Sequence, residues 1–237
     1  MNNEISNIKT LSKEFKPGTI TIIAGAPISF KSQLCYAIIY ELDRQNKQSV
    51  IYELESPENW INWHLELYGY DKRIKDTVSV CPNSDFTDDF NRIRSYIIQQ
   101  RELGKECHCL FLDDIACLEI THSDVEKNKK YDLVIREMKQ LAVELNIAVI
   151  GIIPLGADFI REGNANYNRM PLLLDLDTTE YERVNLFVFV RRPMEYNGNK
   201  FPFEADVEYP DICVVDNIGE AVGRFSLTWN KEERRLK

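Results

Sequence analysis

Residues Gly25-Ala26-Pro27-Ile28-Ser29-Phe30-Lys31-Ser32 match the phosphate-loop pattern G-x-x-x-x-G-K-[ST] at every fixed position but one, the second glycine, where Phe30 stands. In that pattern backbone N–H groups wrap an anion, the lysine reaches the terminal phosphates and the hydroxyl ligates Mg²⁺. Gly25, Ala26, Pro27, Lys31 and Ser32 are therefore the candidate nucleotide contacts, and Ser32 is also a candidate metal ligand. Phe30 is the obstacle. The loop turns tightly around its anion at the second glycine, and a residue with a side chain enters positive φ at a cost of about 1–3 kcal/mol. The flanks support the motif: Thr19-Ile20-Thr21-Ile22-Ile23-Ala24 is a β-branched apolar run, and residues 33–46 carry Leu34, Ala37, Ile38, Tyr40 and Leu42 at helical spacing. Strand, loop and helix in this order place Lys31 and Ser32 on the first helical turn, where N–H groups and the helix dipole favour an anion.

The rest of the chain alternates in the same way. Ser49 to Leu54 reads as a strand, Pro57 opens a helix over Glu58 to Tyr68, and Val78 to Cys81 reads as a short strand. A helix from Phe90 to Leu103 leads to the apolar strand Cys109-Leu110-Phe111-Leu112-Asp113; a helix from Tyr131 to Leu145 leads to a strand from Ile147 to Ile153. Residues 156–183 turn irregular and polar, and Leu186 to Val190, Ile212 to Val215 and Arg224 to Trp229 read as further strands. Such alternation predicts an α/β fold with a mostly parallel central sheet, helices on both faces and ligands at the carboxyl ends of the strands.

At 237 residues and 44% hydrophobic content the chain can bury a sizeable core, and the reading takes residues 1–237 as one domain with an extension over 1–16. No apolar run reaches the roughly 18 residues of a membrane span and Met1-Asn2-Asn3-Glu4 opens no signal peptide, so the expectation is a cytoplasmic protein. Six scattered cysteines suit reduced thiols better than a disulfide frame. Cys107-His108-Cys109 has metal-ligating residue types, but strand alternation would send His108 to the face opposite both cysteines, and no second pair stands at zinc spacing. The net charge of −9 weighs against broad binding to a phosphate backbone, whose affinity comes from Lys and Arg displacing counterions.

Acidic groups end two of the strands. Asp113 follows four apolar residues, the layout in which a buried strand delivers a carboxylate to loop-bound Mg²⁺, with Asp114 beside it. Glu55, in Tyr52-Glu53-Leu54-Glu55-Ser56, stands where a carboxylate would activate the water that attacks a γ-phosphate; it could equally be an acid at the start of the helix that Pro57 opens.

With these motifs in order the chain resembles the RecA-like motor domain of the bacterial replicative DNA helicase, the DnaB type, from about Lys16 to Leu236. The resemblance rests on Pro17 to Pro27 leading into the loop, on Tyr52-Glu53-Leu54-Glu55-Ser56 where that family has S-L-E-M, and on Leu110-Phe111-Leu112-Asp113-Asp114 where it has I-D-Y. Leu141 to Ile150 resembles its L-A-K-E-L-N-V-P-V-I, Arg169-Met170-Pro171 with Asp175-Leu176 its R-P…D-L, and Phe189-Val190-Arg191-Arg192 its F-L-Y-R. It implies a P-loop NTPase fold, ATP and Mg²⁺ as cofactors, a metal site at Ser32 and Asp113, and self-association. It also implies contact with single-stranded DNA from the irregular segment, where Arg161, Tyr167 and Arg169 combine cations with a ring able to stack on a base.

The departures fall on the parts that do chemistry. Phe30 replaces the loop glycine, and Pro154 stands where the resemblance implies a glutamine that senses the γ-phosphate. Asp216-Asn217-Ile218 aligns with a K-x-R whose arginine acts as a finger, a group that contributes about 10³–10⁵ in turnover. The arginine of the family's D-L-R is Asp177, and the chain has no room for the amino-terminal helicase domain. The expectation is a degenerate helicase-core protein that binds ATP weakly or does not hydrolyse it and works through a protein partner or DNA. The alternative is a functional ATPase of replication or recombination, carried by Lys31, Ser32, Asp113 and Glu55.

Overall fold

The computed structural model describes residues 5–26, 29–53, 78–81, 89–118, 130–155, 170–176, 178–191, 210–230 and 235–236. Eight of the described strands form one sheet: β1 (Ile20–Gly25), β2 (Ser49–Glu53), β3 (Val78–Val80), β4 (Cys109–Asp113), β5 (Ala148–Pro154), β6 (Leu186–Arg191), β7 (Asp211–Asp216) and β8 (Ala221–Ser226). Their order is β3-β2-β4-β5-β1-β6-β7-β8. The six strands from β3 to β6 pair in parallel, and β7 and β8 are added antiparallel at one side. This is the mostly parallel α/β sheet that the alternation predicts.

Both faces of the sheet are buried, which is why its inner strands read as unbroken apolar runs. One face gathers Ile22, Ala24, Leu110, Leu112, Val149, Phe187 and Phe189 under the helices Asp89–Glu102 and Lys130–Leu145. The other gathers Ile23, Phe111, Ile150, Ile152 and Val188 under the helix Lys31–Arg44 and the short helix Ile8–Ser12. Residues of the expected 1–16 extension join this second face, with Leu11 and Phe15 buried in it. Ile5 pairs with Gly223 at the outer edge of β8, where a side chain on residue 223 would meet the Ile5 carbonyl oxygen at 2.2 Å.

Two sequence expectations shift. The strand expected over 224–229 runs from Ala221 to Ser226, because Asp216 closes a tight turn and pairing resumes at once. Trp229–Asn230 (β9) pairs instead with Arg235–Leu236 (β10). Cys107 and Cys109 do not share a face: β4 begins only at Cys109, so alternation does not extend back to Cys107, which packs on the side of Leu110 while Cys109 packs with Phe111. All six cysteines are free thiols, and burial pushes Cys81 and Cys107 up to about 12. The helix expected over 58–68 lies outside the described residues.

The segment before β6 is tied to the Lys130–Leu145 helix by Asp132 and by Arg136, which pairs with Glu180. Asp132 accepts hydrogen bonds from Thr178 Oγ1 at 2.5 Å, Thr179 N at 2.7 Å and Thr179 Oγ1 at 2.6 Å. Burial alone would raise the Asp132 pKa, but these bonds outweigh it and hold the carboxyl below its ordinary range. A pKa lowered on folding contributes stability that is complete above the unfolded value and is lost as pH falls through the folded one. Asp132→Asn is therefore expected to melt lower than the parent at neutral pH and to lose less on acidification, which thermal denaturation from about pH 6 to pH 2.5 checks.

Candidate functional site

The carboxyl ends of β2, β4, β5 and β1 lie side by side at one edge of the sheet. Glu53 is level with Asp113, Leu112 with Gly151, and Gly25 with both Pro154 of β5 and Val190 of β6. The loop leaving β1 and the acid ending β4 are thus separated by the single strand β5, about 10 Å across at ordinary strand spacing. This is the crevice that a parallel sheet opens beyond its strand ends.

The loop turns on two residues. At Gly25 a Cβ would stand 2.4 Å from Ser29 Oγ and 2.6 Å from the Val190 carbonyl oxygen, so the returning chain packs directly on the glycine backbone. Ser29 is buried beneath the loop, and its Oγ has no hydrogen-bond partner among the described residues. Nothing in the sequence pattern marks Ser29, since it occupies one of the free positions. At the other end Phe30 takes φ 69° and ψ 24°, the left-handed conformation that the missing glycine would have supplied. Its ring packs against the second core cluster, and that contact offsets the roughly 1–3 kcal/mol cost of the backbone state.

Phe30 caps the Lys31–Arg44 helix without a side-chain hydrogen bond, and the first turn of that helix holds no acid. The first intrahelical bond runs from Leu34 N to the Phe30 carbonyl oxygen at 2.9 Å. A helix start carries the positive end of the helix dipole, which suits an anion electrostatically. Lys31 Nζ folds back and donates to the Ala26 carbonyl oxygen at 2.9 Å. Ser32 stands in the first turn, partly buried. A glycine-like backbone at Phe30 and an acid-free helix start both fit a phosphate group, while the space at Gly25 is taken by Ser29 and Val190 of the protein itself.

Asp113 ends β4 with 8% of its surface exposed, and the Asp113–Asp114 peptide is cis. The two acids differ in what they do locally. Asp114 Oδ1 accepts from Ala116 N at 2.7 Å and its carbonyl oxygen from Cys117 N at 3.1 Å, so this side chain builds the turn that follows. Asp113 is the strand-end carboxylate at the crevice edge, one strand away from the loop that leads to Ser32.

The neighbouring strand ends are occupied differently from what the resemblance implies. Pro154 contributes neither an amide side chain nor an N–H, and the next amide, Leu155 N, donates to the Gly25 carbonyl oxygen at 3.0 Å. On the other side Arg191 follows Val190 and is paired with Asp211, which also accepts from Ser226 Oγ at 2.7 Å. Burial would raise the Asp211 pKa, but Ser226 and Arg191 hold it below the ordinary carboxylate range. The Asp216-Asn217-Ile218 position is a hairpin turn: Asp216 Oδ1 accepts from Ile218 N at 3.0 Å and Glu220 N at 2.9 Å, and Ile218 is 72% exposed at the tip. Asp216 pairs with Leu186 at the amino end of β6, the edge opposite the loop.

The structure thus brings Gly25, Ala26, Lys31, Ser32 and Asp113 to one edge. Pro27, Glu55, Arg161, Tyr167, Arg169 and Asp177 lie outside the described residues. Among the described residues no cluster of His, Cys, Asp and Glu is arranged to hold a metal by itself, and no helix is long and apolar enough to cross a membrane.

No family model matches the sequence, and neither does any curated protein. Solved structures do. A DnaB-like replicative helicase, studied with its interactions with primase, superposes with a TM-score of 0.72 at 16% identity over 94% of this chain and 57% of that one. A second structure, solved as an ATPase domain on its own, superposes with a TM-score of 0.71 at 16% identity over 94% of this chain and 85% of that domain. The chain has the RecA-like fold of these helicase ATPase domains. It spans 57% of the length of the DnaB-like helicase, and at this identity the likeness is one of fold.

The two turning residues of the loop predict opposite responses. Gly25→Ala, whose new methyl group would meet backbone of β6, is expected to lose about 1–3 kcal/mol of stability. Phe30→Gly, whose backbone is already left-handed, is expected to stay within about 1 kcal/mol of the parent. Chemical denaturation of both variants checks the ordering.

Proposed function

We propose that this chain binds a nucleoside triphosphate with Mg²⁺ in the loop between β1 and the Lys31–Arg44 helix, and holds it without turning it over. It is a degenerate helicase-core protein. The observation that carries the reading is the pairing of Gly25 with Pro154, which leaves no polar side chain on the β5 strand end beside the phosphate loop. Lys31 neutralises the terminal phosphates, Ser32 and Asp113 hold the metal, and Gly25, Ala26 and Pro27 supply the close backbone wrap. Mg²⁺, when bound, draws charge from the phosphate oxygens. The left-handed Phe30 supports binding because it keeps the loop in the shape that the glycine would give.

Loss of turnover rests on what surrounds the phosphates. A hydrolysing site needs a sensing group and a cation that stabilises charge as the bond breaks. Pro154 supplies neither, and the finger position carries a turn-building acid and an exposed Ile218. That hairpin lies at the edge away from this chain's own loop, so it could act only on a neighbouring copy. Residues 1–237 then work as one RecA-like domain in the cytoplasm. Their output is a nucleotide-bound surface offered to a protein partner, to a second copy, or weakly to single-stranded DNA through Arg161, Tyr167 and Arg169. A working ATPase is the second reading, favoured by the retention of Lys31, Ser32, Asp113 and Glu55, with Glu55 activating the water.

Titration of a fluorescent ATP analogue with Mg²⁺, beside a phosphate-release assay on ATP, separates these readings. Binding that is lost in Lys31→Ala, with no release above the Lys31→Ala level, is the expected result. Release that depends on Lys31 establishes the ATPase instead, and no binding at millimolar nucleotide removes nucleotide from the function altogether.

A further inference from the structure

The amino-terminal edge of the sheet, opposite the phosphate loop, carries a cavity of about 640 Å³. Its lining comes from the four connections that enter β1, β2, β4 and β5: Phe15 and Pro17, Lys47, the stretch Gly104 to His108 with Arg101, and Leu145 with Asn146. The strands whose carboxyl ends frame the nucleotide crevice therefore frame this cavity with their amino ends. Its floor is apolar, since Phe15, Cys107 and Leu145 are all buried.

The walls are basic in a chain whose net charge is −9. Lys47, Arg101 and Lys105 face a single acid, Glu106. That acid already has a neighbour, because His108 Nε2 lies 3.5 Å from its carboxylate. The ring is oriented by Gln48 N, which donates to His108 Nδ1 at 3.1 Å and so leaves the proton of the neutral imidazole on Nε2. Arg101 donates to the Leu145 carbonyl oxygen at the end of its helix and is held at the rim. Lys47 and Lys105 are different. Both are partly buried, and neither ammonium has a hydrogen-bond or ion-pair partner among the described residues. Three helices, Lys31–Arg44, Asp89–Glu102 and Lys130–Leu145, end at or just before this lining, and attraction to their carbonyls favours basic residues there. It leaves both ammonium groups without a direct partner, since neither bonds a carbonyl among the described residues.

An ammonium that lines a cavity without a counter-charge attracts an anion into it. Two such groups and an arginine around a cavity of small-molecule size favour a compact ligand with several negative charges. We propose that this cavity is a second site, distinct from the loop, for a small molecule bearing a diphosphate or similar polyphosphate group, with Lys47 and Lys105 as its charge partners and Arg101 at its rim. The site is independent of whether the loop hydrolyses nucleotide.

Calorimetric titration of pyrophosphate into the full chain carrying Lys31→Ala, which disables the loop, tests this directly. One-to-one binding is expected to persist in that background and to weaken by roughly tenfold or more when Lys47→Ala and Lys105→Ala are added. Lys47→Arg with Lys105→Arg keeps both charges and is expected to restore binding, which separates lost charge from lost folding. Absence of pyrophosphate binding in the Lys31→Ala protein, or binding indifferent to Lys47 and Lys105, overturns the proposal. An oligothymidylate that binds through these lysines where pyrophosphate does not also overturns it, in favour of a nucleic-acid backbone.

Discussion

Strand β1 is hydrogen-bonded along both edges, to β5 and β6, and covered on both faces, and this confinement determines where the chain leaving it can go. With both neighbours in place at Gly25, the only exit is outward and over the strand end. Ser29 returns so tightly that the glycine has no room for a side chain, and the Lys31–Arg44 helix must then start within a few residues. Phe30 is the last residue available to reverse the chain, and it does so in the left-handed conformation. The strain persists because the surroundings over-determine it: a helix packed on one face, a buried strand before it, and a core cluster that receives the ring.

The same confinement would let the proposed phosphate cradle keep its shape whether or not it turns nucleotide over. The cradle is made of backbone, held by packing that the whole sheet supports. Turnover is made of side chains at strand ends and in loops, where a substitution costs little stability. Pro154 sits at such an end, paired with Gly25, and brings neither a polar side chain nor an N–H to it. Asp216 is a carboxylate used in folding its own turn. Selection for binding without turnover would leave this pattern.

Much of the fold is written in local periodicity, because buried parallel strands and their covering helices must be apolar at spacings that a sequence displays. Lys31, Ser32 and Asp113 are legible for the same reason: each is fixed by its distance from a strand end. The outcome at Phe30 is not. Its residue type argues for strain, and whether the ring finds a core to offset that strain is a tertiary fact. Cys107 is misread because alternation does not hold before the first residue of β4. The strand at Ala221 is displaced because the turn-forming role of Asp216 belongs to its hydrogen bonds. Lys47 and Lys105 are 58 positions apart by residue number, on connections that only the parallel topology brings to one cavity, and no motif links them.

The central claim is a cradle that binds and does not cut. The most direct measurement is a crystal structure of the protein grown with Mg²⁺ and ATP itself over several days. The account predicts an intact triphosphate in the loop, with Lys31 turned from Ala26 onto the phosphates and Phe30 still left-handed. ADP in the loop, or a loop that has closed on itself with no nucleotide, contradicts it.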